Sequence, residues 1–405
     1  MSKPGSDKGV MRGLFETFFG KTWPMWVGGL LLGLGNICLF LVRSPWGGSG
    51  GYTNWGENLY DRLGAFGFAH VQAIGKHPYG LLNFVVVLGA FAGALLARKF
   101  AVRIAPPGEL VKGLLGGILM ALGATLGLGC TIGGFFSGWP ALSGGAIVLA
   151  IGFVIGTYLG LRYLLWEMEK LPGISSGRSL SFLSGTGARG AWQPWLGGLV
   201  VVCFVVVSTV LYKADAVLTW FALIGLMLGM VCQRSRFCIV RAFREPFMTG
   251  DSAAPVGVMT GLLVGIFGFT VIKYMGVGAS TPGAARALAL TWVYAHFPLR
   301  ALIGGIIFGV GMTIAGGCAV GTLWRVGEGH VKLWSAALGF ALMGPISKKY
   351  LAPGFEHLLP GWAKQQVFLP DVLGYGGAVL AFAVLILLWY AFVKWNERTG
   401  RFTAV

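Results

Sequence analysis

The sequence predicts an all-α polytopic membrane protein, and three observations carry that prediction. Hydrophobic residues make up 56% of the 405 residues, while Asp, Glu, Lys and Arg make up 11%, against about 25% charged residues in soluble globular domains. Apolar runs of the length that crosses a bilayer as a helix, about 20 residues, recur along the whole chain. The runs are continuously apolar rather than alternating, which is the pattern of helices and not of a β-barrel. On this ruler spans lie near 26–42, 80–98, 113–129, 144–166, 195–212, 217–232, 254–274, 299–317, 333–346 and 371–393.

Taken in order, residues 1–20 form a basic tail. The first 25 residues contain no short apolar core followed by a small-residue cleavage site, so the first apolar run is expected to remain as a signal anchor. The segment Ser44–Tyr60, Gly-rich and aromatic, is expected as an interfacial or extracellular loop. Residues 22–170 form a first transmembrane repeat, 171–194 a polar Ser/Gly linker, 195–350 a second repeat, and 351–405 a last span with a basic tail. A further loop is expected over 276–298.

The formal net charge is +17. The cations follow the membrane rule that Lys and Arg collect in short cytoplasmic loops, so lipid rather than nucleic acid is the expected partner. Arg98, Lys99 and Arg103 follow one span, Lys348 and Lys349 another, and Lys394, Arg398 and Arg401 the last. Both termini are therefore expected on the cytoplasmic side. The excess of cations also raises the local concentration of anions at the loop mouths.

Two stretches are nearly the same. GGILMALGATLGLGCTIGG (Gly116–Gly134) and GGIIFGVGMTIAGGCAVGT (Gly304–Thr322) superpose at an offset of 188, each reaching a cysteine, Cys130 or Cys318. GLLLG (Gly29–Gly33) and GLMLG (Gly225–Gly229) superpose at an offset of 196, and each then reaches Cys38 or Cys238. Internal repeats of this kind mark transporter and channel folds with pseudo-two-fold symmetry. Most of the glycines suit close helix packing. At 126–138 and 315–329, however, the apolar run breaks at mid-membrane depth, which backbone tolerates only when buried in protein or lining a cavity. Half-helix ends at such breaks offer N–H groups to anions.

Six cysteines lie mostly inside apolar runs, unlike a secreted disulfide framework. Cys203 and Cys232 read as small hydrophobic residues. Cys38, Cys130, Cys238 and Cys318, at equivalent ends of repeated segments, are the candidates for function. A zinc site wants about four closely spaced N/S ligands, and this chain has no CxxC and scattered histidines, so no metal or other cofactor is expected. Thiol–disulfide catalysis wants a resolving cysteine and a soluble partner site, and neither is visible. A relay for a soft anion fits better. Neutral thiols are weak donors with polarizable sulfur, and apolar burial keeps them neutral. Weak sites in series hold an ion without trapping it. Gly129, Gly133, Gly317 and Gly321 would let the ion approach. Arg234 and Arg236, beside Cys238, read either as snorkelling loop cations or as an electrostatic funnel. Arg325 and Glu328, near Cys318, either lock the loop or touch substrate. No GxxxxGK[ST] loop is present, so the chain has no ATPase motor of that type.

Three motifs, GLGCTIGGFFSGWP (Gly127–Pro140), QRSRFCIVRAFRE (Gln233–Glu245) and GGIIFGVGMTIAGGCAVGTLWRVGEGH (Gly304–His330), resemble those of the YeeE/YedE family of sulfur-transport membrane proteins. YTNWGENLYDRLG (Tyr52–Gly64) and the WRVGEG ending are most similar to the longer YedE-like branch, associated with selenium as well as sulfur metabolism. The resemblance implies an hourglass-like fold of two inverted repeats in the bacterial inner membrane, with re-entrant half-helices meeting at mid-membrane. It implies uptake of thiosulfate along cysteine thiols by transient S–H···S hydrogen bonds, with a small cytoplasmic sulfur-carrier protein as partner. Cys130 and Cys318 match the family's GGC-type positions, Cys238 its FC position, and Cys38 the corresponding first-repeat site less closely. The thiosulfate importers carry a GCTSGHG-like motif, and this chain has GCTIGGFFSG and GCAVGTLWRVG without that histidine. The sequence therefore leaves open thiosulfate, another reduced sulfur species or a selenium compound. It also leaves open a membrane sensor or accessory protein of sulfur oxidation, and a membrane thiol oxidoreductase.

Overall fold

The computed structural model describes residues 16–171, 173, 179–183, 190–279, 281–294, 298–358, 360–361 and 365–403. Most of the basic tail and much of the 171–194 linker lie outside the described residues. Among those described, nine helices are long and apolar enough to cross a membrane. The only named sheet there is one antiparallel pair, β1 (Val102–Ile104) with β2 (Leu180–Phe182), Arg103 opposite Ser181. The protein is a polytopic all-α membrane protein.

The chain runs α1 (Met25–Val42), α2 (Gly48–Leu63), α3 (Pro78–Leu96), α4 (Pro107–Leu126), a π-helical turn (Thr131–Phe136) and α5 (Gly144–Lys170). It continues through α6 (Gln193–Leu211), α7 (Ala216–Ser235), α8 (Ile239–Met248), α9 (Ala253–Ala279), α10 (Pro282–Leu290) and α11 (Leu299–Ala315). The last elements are α12 (Ala319–Glu328), α13 (Val331–Ile346), α14 (Ala352–Leu358) and α15 (Leu369–Thr399). Proline opens α3, α4, α6, α10 and α15, where its missing N–H costs nothing.

Three expectations are corrected. Ser44–Tyr60 is not a loop, because α2 occupies it from Gly48. Gly48, Tyr52, Gly56 and Tyr60 are all buried. They recur every fourth residue and so form one helical stripe. That stripe packs on α13, with the Tyr52 ring stacked on Phe340 at 4.6 Å and Tyr60 Oη donating to Leu342 O at 2.8 Å. The interval 276–298 is likewise mostly the end of α9 and α10. Third, Lys348 and Lys349 stand at the opposite end of the molecule from Arg98, Lys99 and Arg103. Helix α13 starts beside β1, where Arg103 N donates to Gly329 O at 2.8 Å. It ends where Ser347 Oγ meets Thr125 Oγ1 at 2.7 Å, at the far end of α4. The span expected at 333–346 is the 16-residue α13, about 24 Å long at 1.5 Å per residue, continued by the π-helical turn Ser347–Leu351 and α14.

Helix packing is reciprocal. Helix α1 lies on α9 as α7 lies on α3, and α4 lies on α13 as α11 lies on α5. The contacts run through glycines. A methyl at Gly29 would strike Gly257 O, and one at Gly229 would strike Val86 O. Between these pairs the chain breaks four times, at 43–47, 127–130, 236–238 and 316–318. Each break leaves backbone polar groups that must find partners inside the protein. At the first, Asn36 Oδ1 accepts from Trp46 N at 2.8 Å, and Asn36 Nδ2 donates to Ser137 Oγ at 3.0 Å. Ser137 Oγ donates to Trp46 O at 3.0 Å, and Asn83 Nδ2 donates to Gly48 O at 2.7 Å. Asn36, Asn83, Ser137 and Trp46 are all buried, so this network sets where α2 begins.

Two outcomes test the packing. Gly29→Val forces a side chain onto the α9 backbone, an overpacking cost of about 1–3 kcal/mol or more, and is expected to remove the monodisperse peak in size-exclusion chromatography. Gly198→Val, at a position where a methyl meets no described atom within 4 Å, is expected to keep it. Asn36→Leu strips the buried Trp46 amide of its acceptor, about 1–3 kcal/mol, and is expected to lower the thermal midpoint in detergent.

Candidate functional site

Four short helical elements start near one another around three buried thiols. Cys130 is the N-cap of the π-helical turn, in extended conformation, and its Sγ accepts from Gly133 N at 3.5 Å. Cys318 is the N-cap of α12 and accepts in the same way from Gly321 N at 3.4 Å. Cys238 is the N-cap of α8, and Gly47 the N-cap of α2. Sulfur is a weak acceptor, so a thiol cap holds its helix start without locking it as an Asp or Ser would.

The distances bring the starts together. Cys238 Sγ and Cys318 Sγ are 3.7 Å apart. A methyl at Gly48 would stand 3.5 Å from Cys130 Sγ and 3.8 Å from Ala319 Cβ, so the start of α2 lies between Cys130 and the start of α12. Tyr52 Oη donates to Ala319 O at 2.8 Å, tying α2 to α12. Cys130, Cys238 and Cys318 are each 0% exposed. Each helix N-terminus carries about half a positive charge on its unpaired N–H groups. The centre therefore offers amides and neutral thiols to an anion, with no carboxylate among the groups described there.

The partners of the breaks fix this geometry. Gly133 O accepts from Trp292 Nε1 at 2.9 Å and Tyr294 Oη at 2.7 Å. Arg300 Nε donates to Leu126 O at 2.7 Å, closing the end of α4 ahead of Leu128, whose φ is +58°. Trp324 Nε1 donates to Phe237 O at 2.7 Å, next to Cys238.

Of the residues expected at the site, the structure gathers Cys130, Cys238, Cys318, Gly133 and Gly321. A methyl at Gly321 would run into Cys238 Sγ, and one at Gly133 would stand 3.5 Å from both Gly47 Cα and Tyr294 Oη. Gly129 and Gly317 seat the breaks instead, Gly129 against Gly134 and Gly317 against Leu333 and Thr322. Cys38 is not brought in. It lies within α1, exposed on its outer surface. At the repeat offset of 196 its counterpart is Arg234, while the N-cap position held by Cys238 in the second half belongs to Gly47 in the first. Arg234 is buried and anchors the chain ahead of α1, with Nε donating to Phe18 O at 3.2 Å and a second bond to Lys21 O. Arg325 Nη1 donates to Gly316 O at 2.6 Å, and its guanidinium lies 5.1 Å from the Trp324 ring centre. Glu328 sits 3.5 Å from His330 Nε2 and 4.0 Å from the half-exposed Arg236. Arg325 and Glu328 thus make contacts that hold the loop geometry.

Sequence reasoning missed Gly47, Tyr52, Tyr79, Trp292, Tyr294 and Arg300. The four-residue recurrence of Gly48, Tyr52, Gly56 and Tyr60 was a legible signal for α2. Trp292 and Tyr294 fall in an interval read as a loop. Two cavities of about 250 Å³ each adjoin the Cys130 side and share Ser49, Gly50 and Leu128. Another, of about 490 Å³, lies at the opposite end between Arg244, Gly316 and Lys332. Among the described residues no three His, Cys, Asp or Glu side chains gather as a metal site would require.

The profile of a family described as sulphur transport matches residues 3–159 and 234–404. The probable transporter YedE of Escherichia coli strain K12 is 26% identical over 367 residues, 88% of this chain and 88% of its own length. The thiosulfate transporter TsuA of the same strain is 30% identical over 167 residues, 41% of this chain and 44% of its own. A thiosulfate transporter TsuA of Spirochaeta thermophila is 32% identical over 120 residues, 30% of this chain and 33% of its own. The profile's two stretches contain Cys130, Cys238 and Cys318, and on that match the chain belongs to the YeeE/YedE family of sulphur transport membrane proteins.

Proposed function

We propose that the protein takes up thiosulfate, or a closely related reduced sulfur anion, by handing it between Cys130 and the Cys318–Cys238 pair. The observation that carries this is the placing of three fully buried thiols at the starts of short helices, two of them 3.7 Å apart, with cavities on both sides. The names of the TsuA relatives support the substrate class. The reciprocal helix pairing supports two related halves around the path. A hydrogen bond to a charged partner contributes about 1.5–3 kcal/mol, far less than the cost of stripping an ion of water. Each thiol therefore holds the anion only with help from neighbouring amides, and releases it readily.

Orientation follows from charge. The end carrying Arg98, Lys99, Arg103, Arg241, Arg325 and Lys332 is the cytoplasmic one in this proposal. The cavities beside Ser49 and Tyr294 then face outward, Cys130 is met first, and the sulfur-carrier protein implied by the resemblance would draw from the Cys238 end. In a bacterium this membrane is the inner one. A selenium compound of the same shape would use the same groups.

The 3.7 Å contact also suits a reversible Cys238–Cys318 disulfide, as in a thiol oxidoreductase. The two mechanisms separate on whether the thiols change oxidation state. Acid quenching and alkylation during uptake are expected to show both thiols reduced, and a disulfide appearing in step with turnover would favour the oxidoreductase.

In proteoliposomes, Cys130→Ala and Cys318→Ala are each expected to cut uptake of labelled thiosulfate about tenfold or more, the worth of one charge-assisted hydrogen bond. Cys38→Ala is expected to keep it. Full uptake by the Cys130→Ala, Cys318→Ala double variant would remove the thiols from the mechanism. Gly321→Ala, whose methyl meets Cys238 Sγ, is expected to block passage in protein that still elutes as a single species.

A further inference from the structure

Resting on the transport proposed above, we infer that the two adjoining cavities beside Cys130 form a two-ended receptor. It orients an anion that has a hard oxygen end and a soft sulfur end. The oxygen end lies on Arg300 and Lys348, and the sulfur end lies among Tyr79, Trp292 and Tyr294, pointing toward the first thiol.

The cavities differ in chemistry. One is lined by Arg300, Lys348, Ser49, Thr53 and Thr125. The other is lined by Tyr79, Trp292, Tyr294 and Gly133, with no charged side chain. Gly133 N is the donor to Cys130 Sγ, so the aromatic cavity is the one next to the thiol. Ser49, Gly50 and Leu128 line both and stand between them.

Arg300 is held in place. Its side chain is 3% exposed, with Nε on Leu126 O at 2.7 Å and Nη2 on Thr125 O at 3.2 Å. Its Nη1 stands 3.9 Å from Glu356 Oε2. Lys348, 69% exposed, stands 3.5 Å from Glu57 Oε1. Both separations exceed the roughly 2.7–2.9 Å of a charge-assisted hydrogen bond, so an arriving oxoanion replaces two loose carboxylate contacts. The polar atoms of the aromatic cavity's three aromatic side chains are engaged. Tyr79 Oη pairs with Ser44 Oγ at 2.6 Å, and Trp292 and Tyr294 both donate to Gly133 O. What those side chains leave to the cavity is aromatic surface, whose positive ring edges suit a polarizable anionic sulfur and give a strongly hydrated oxygen little in exchange for its water. Thiosulfate and S-sulfonates have both ends. Sulfate lacks the soft end, and hydrosulfide lacks the hard one.

The test uses the full chain in proteoliposomes, reading both binding and uptake of labelled thiosulfate. Sulfate and hydrosulfide are each expected to compete about tenfold less well than unlabelled thiosulfate. Lys348→Gln, a surface change, is expected to raise the half-saturating concentration about threefold, an effect that shrinks as salt rises. Arg300→Lys is expected to raise it about tenfold by losing the planar fork. Tyr79→Ala is expected to narrow the gap between thiosulfate and sulfate while leaving the salt dependence in place. Unchanged half-saturation in Lys348→Gln and Arg300→Lys, or equal competition by sulfate, overturns the receptor while uptake by the wild type keeps transport standing. Thiosulfate binding with this cation dependence but no uptake supports the receptor and overturns transport instead. A wild type that neither binds nor moves thiosulfate overturns both.

Discussion

Everything at the centre of this protein depends on one constraint, that a backbone broken inside a bilayer must find hydrogen-bond partners within the protein. The four breaks are each served by named side chains. Asn36 and Ser137 hold Trp46, and Asn83 holds Gly48. Arg300 holds Leu126, Trp292 and Tyr294 hold Gly133, Trp324 holds Phe237, and Arg325 holds Gly316. The same groups that let the chain leave helical conformation fix where Cys130, Cys238 and Cys318 stand. Structural support and site geometry are one network.

That network explains what the buried cations do. A charged side chain within a membrane span commonly marks a transport path. Here several are engaged with backbone carbonyls. Lys273, wholly buried in α9, donates to Ala141 O at 2.8 Å and Ala289 O at 2.9 Å. Arg325 does the same for Gly316. The centre itself is left to thiols and helix amides, whose attraction for an anion is spread over several weak donors. In the transport proposed above, a fixed ammonium there would bind a dianion tightly and hold it, whereas conduction needs binding weak enough to reverse.

Much of this was legible in the sequence, and the misses have physical causes. Cys130 and Cys318 stood out because duplicated segments ended on them, and both are N-caps of short helical elements whose amides bond their sulfurs. Cys238 followed from its motif. Cys38 was paired with it by counting from GLLLG and GLMLG, but α7 ends at Ser235, three residues before Cys238, while α1 continues to Val42, past Cys38. The first-half break is longer, and Gly47 takes the cap position. Hydropathy alone points to a loop where α2 stands because glycine weakens the signal, although the four-residue stripe of Gly48, Tyr52, Gly56 and Tyr60 is present. Arg234 reads from sequence as either a snorkelling loop cation or part of a funnel, because its carbonyl partners, Phe18 and Lys21, are distant in sequence.

The sequence by itself determined the all-α membrane class and most of the spans, and it singled out Cys130, Cys238 and Cys318, because hydropathy and repetition are local and survive in one dimension. Tertiary structure decided which thiols meet, since the 3.7 Å between Cys238 and Cys318 joins residues 80 positions apart. It also decided which cations face a cavity and which backbone carbonyls they meet, Arg300 doing both. Those outcomes depend on how helices cross and where each break finds its partners, and neither is written in the order of residues along one strand.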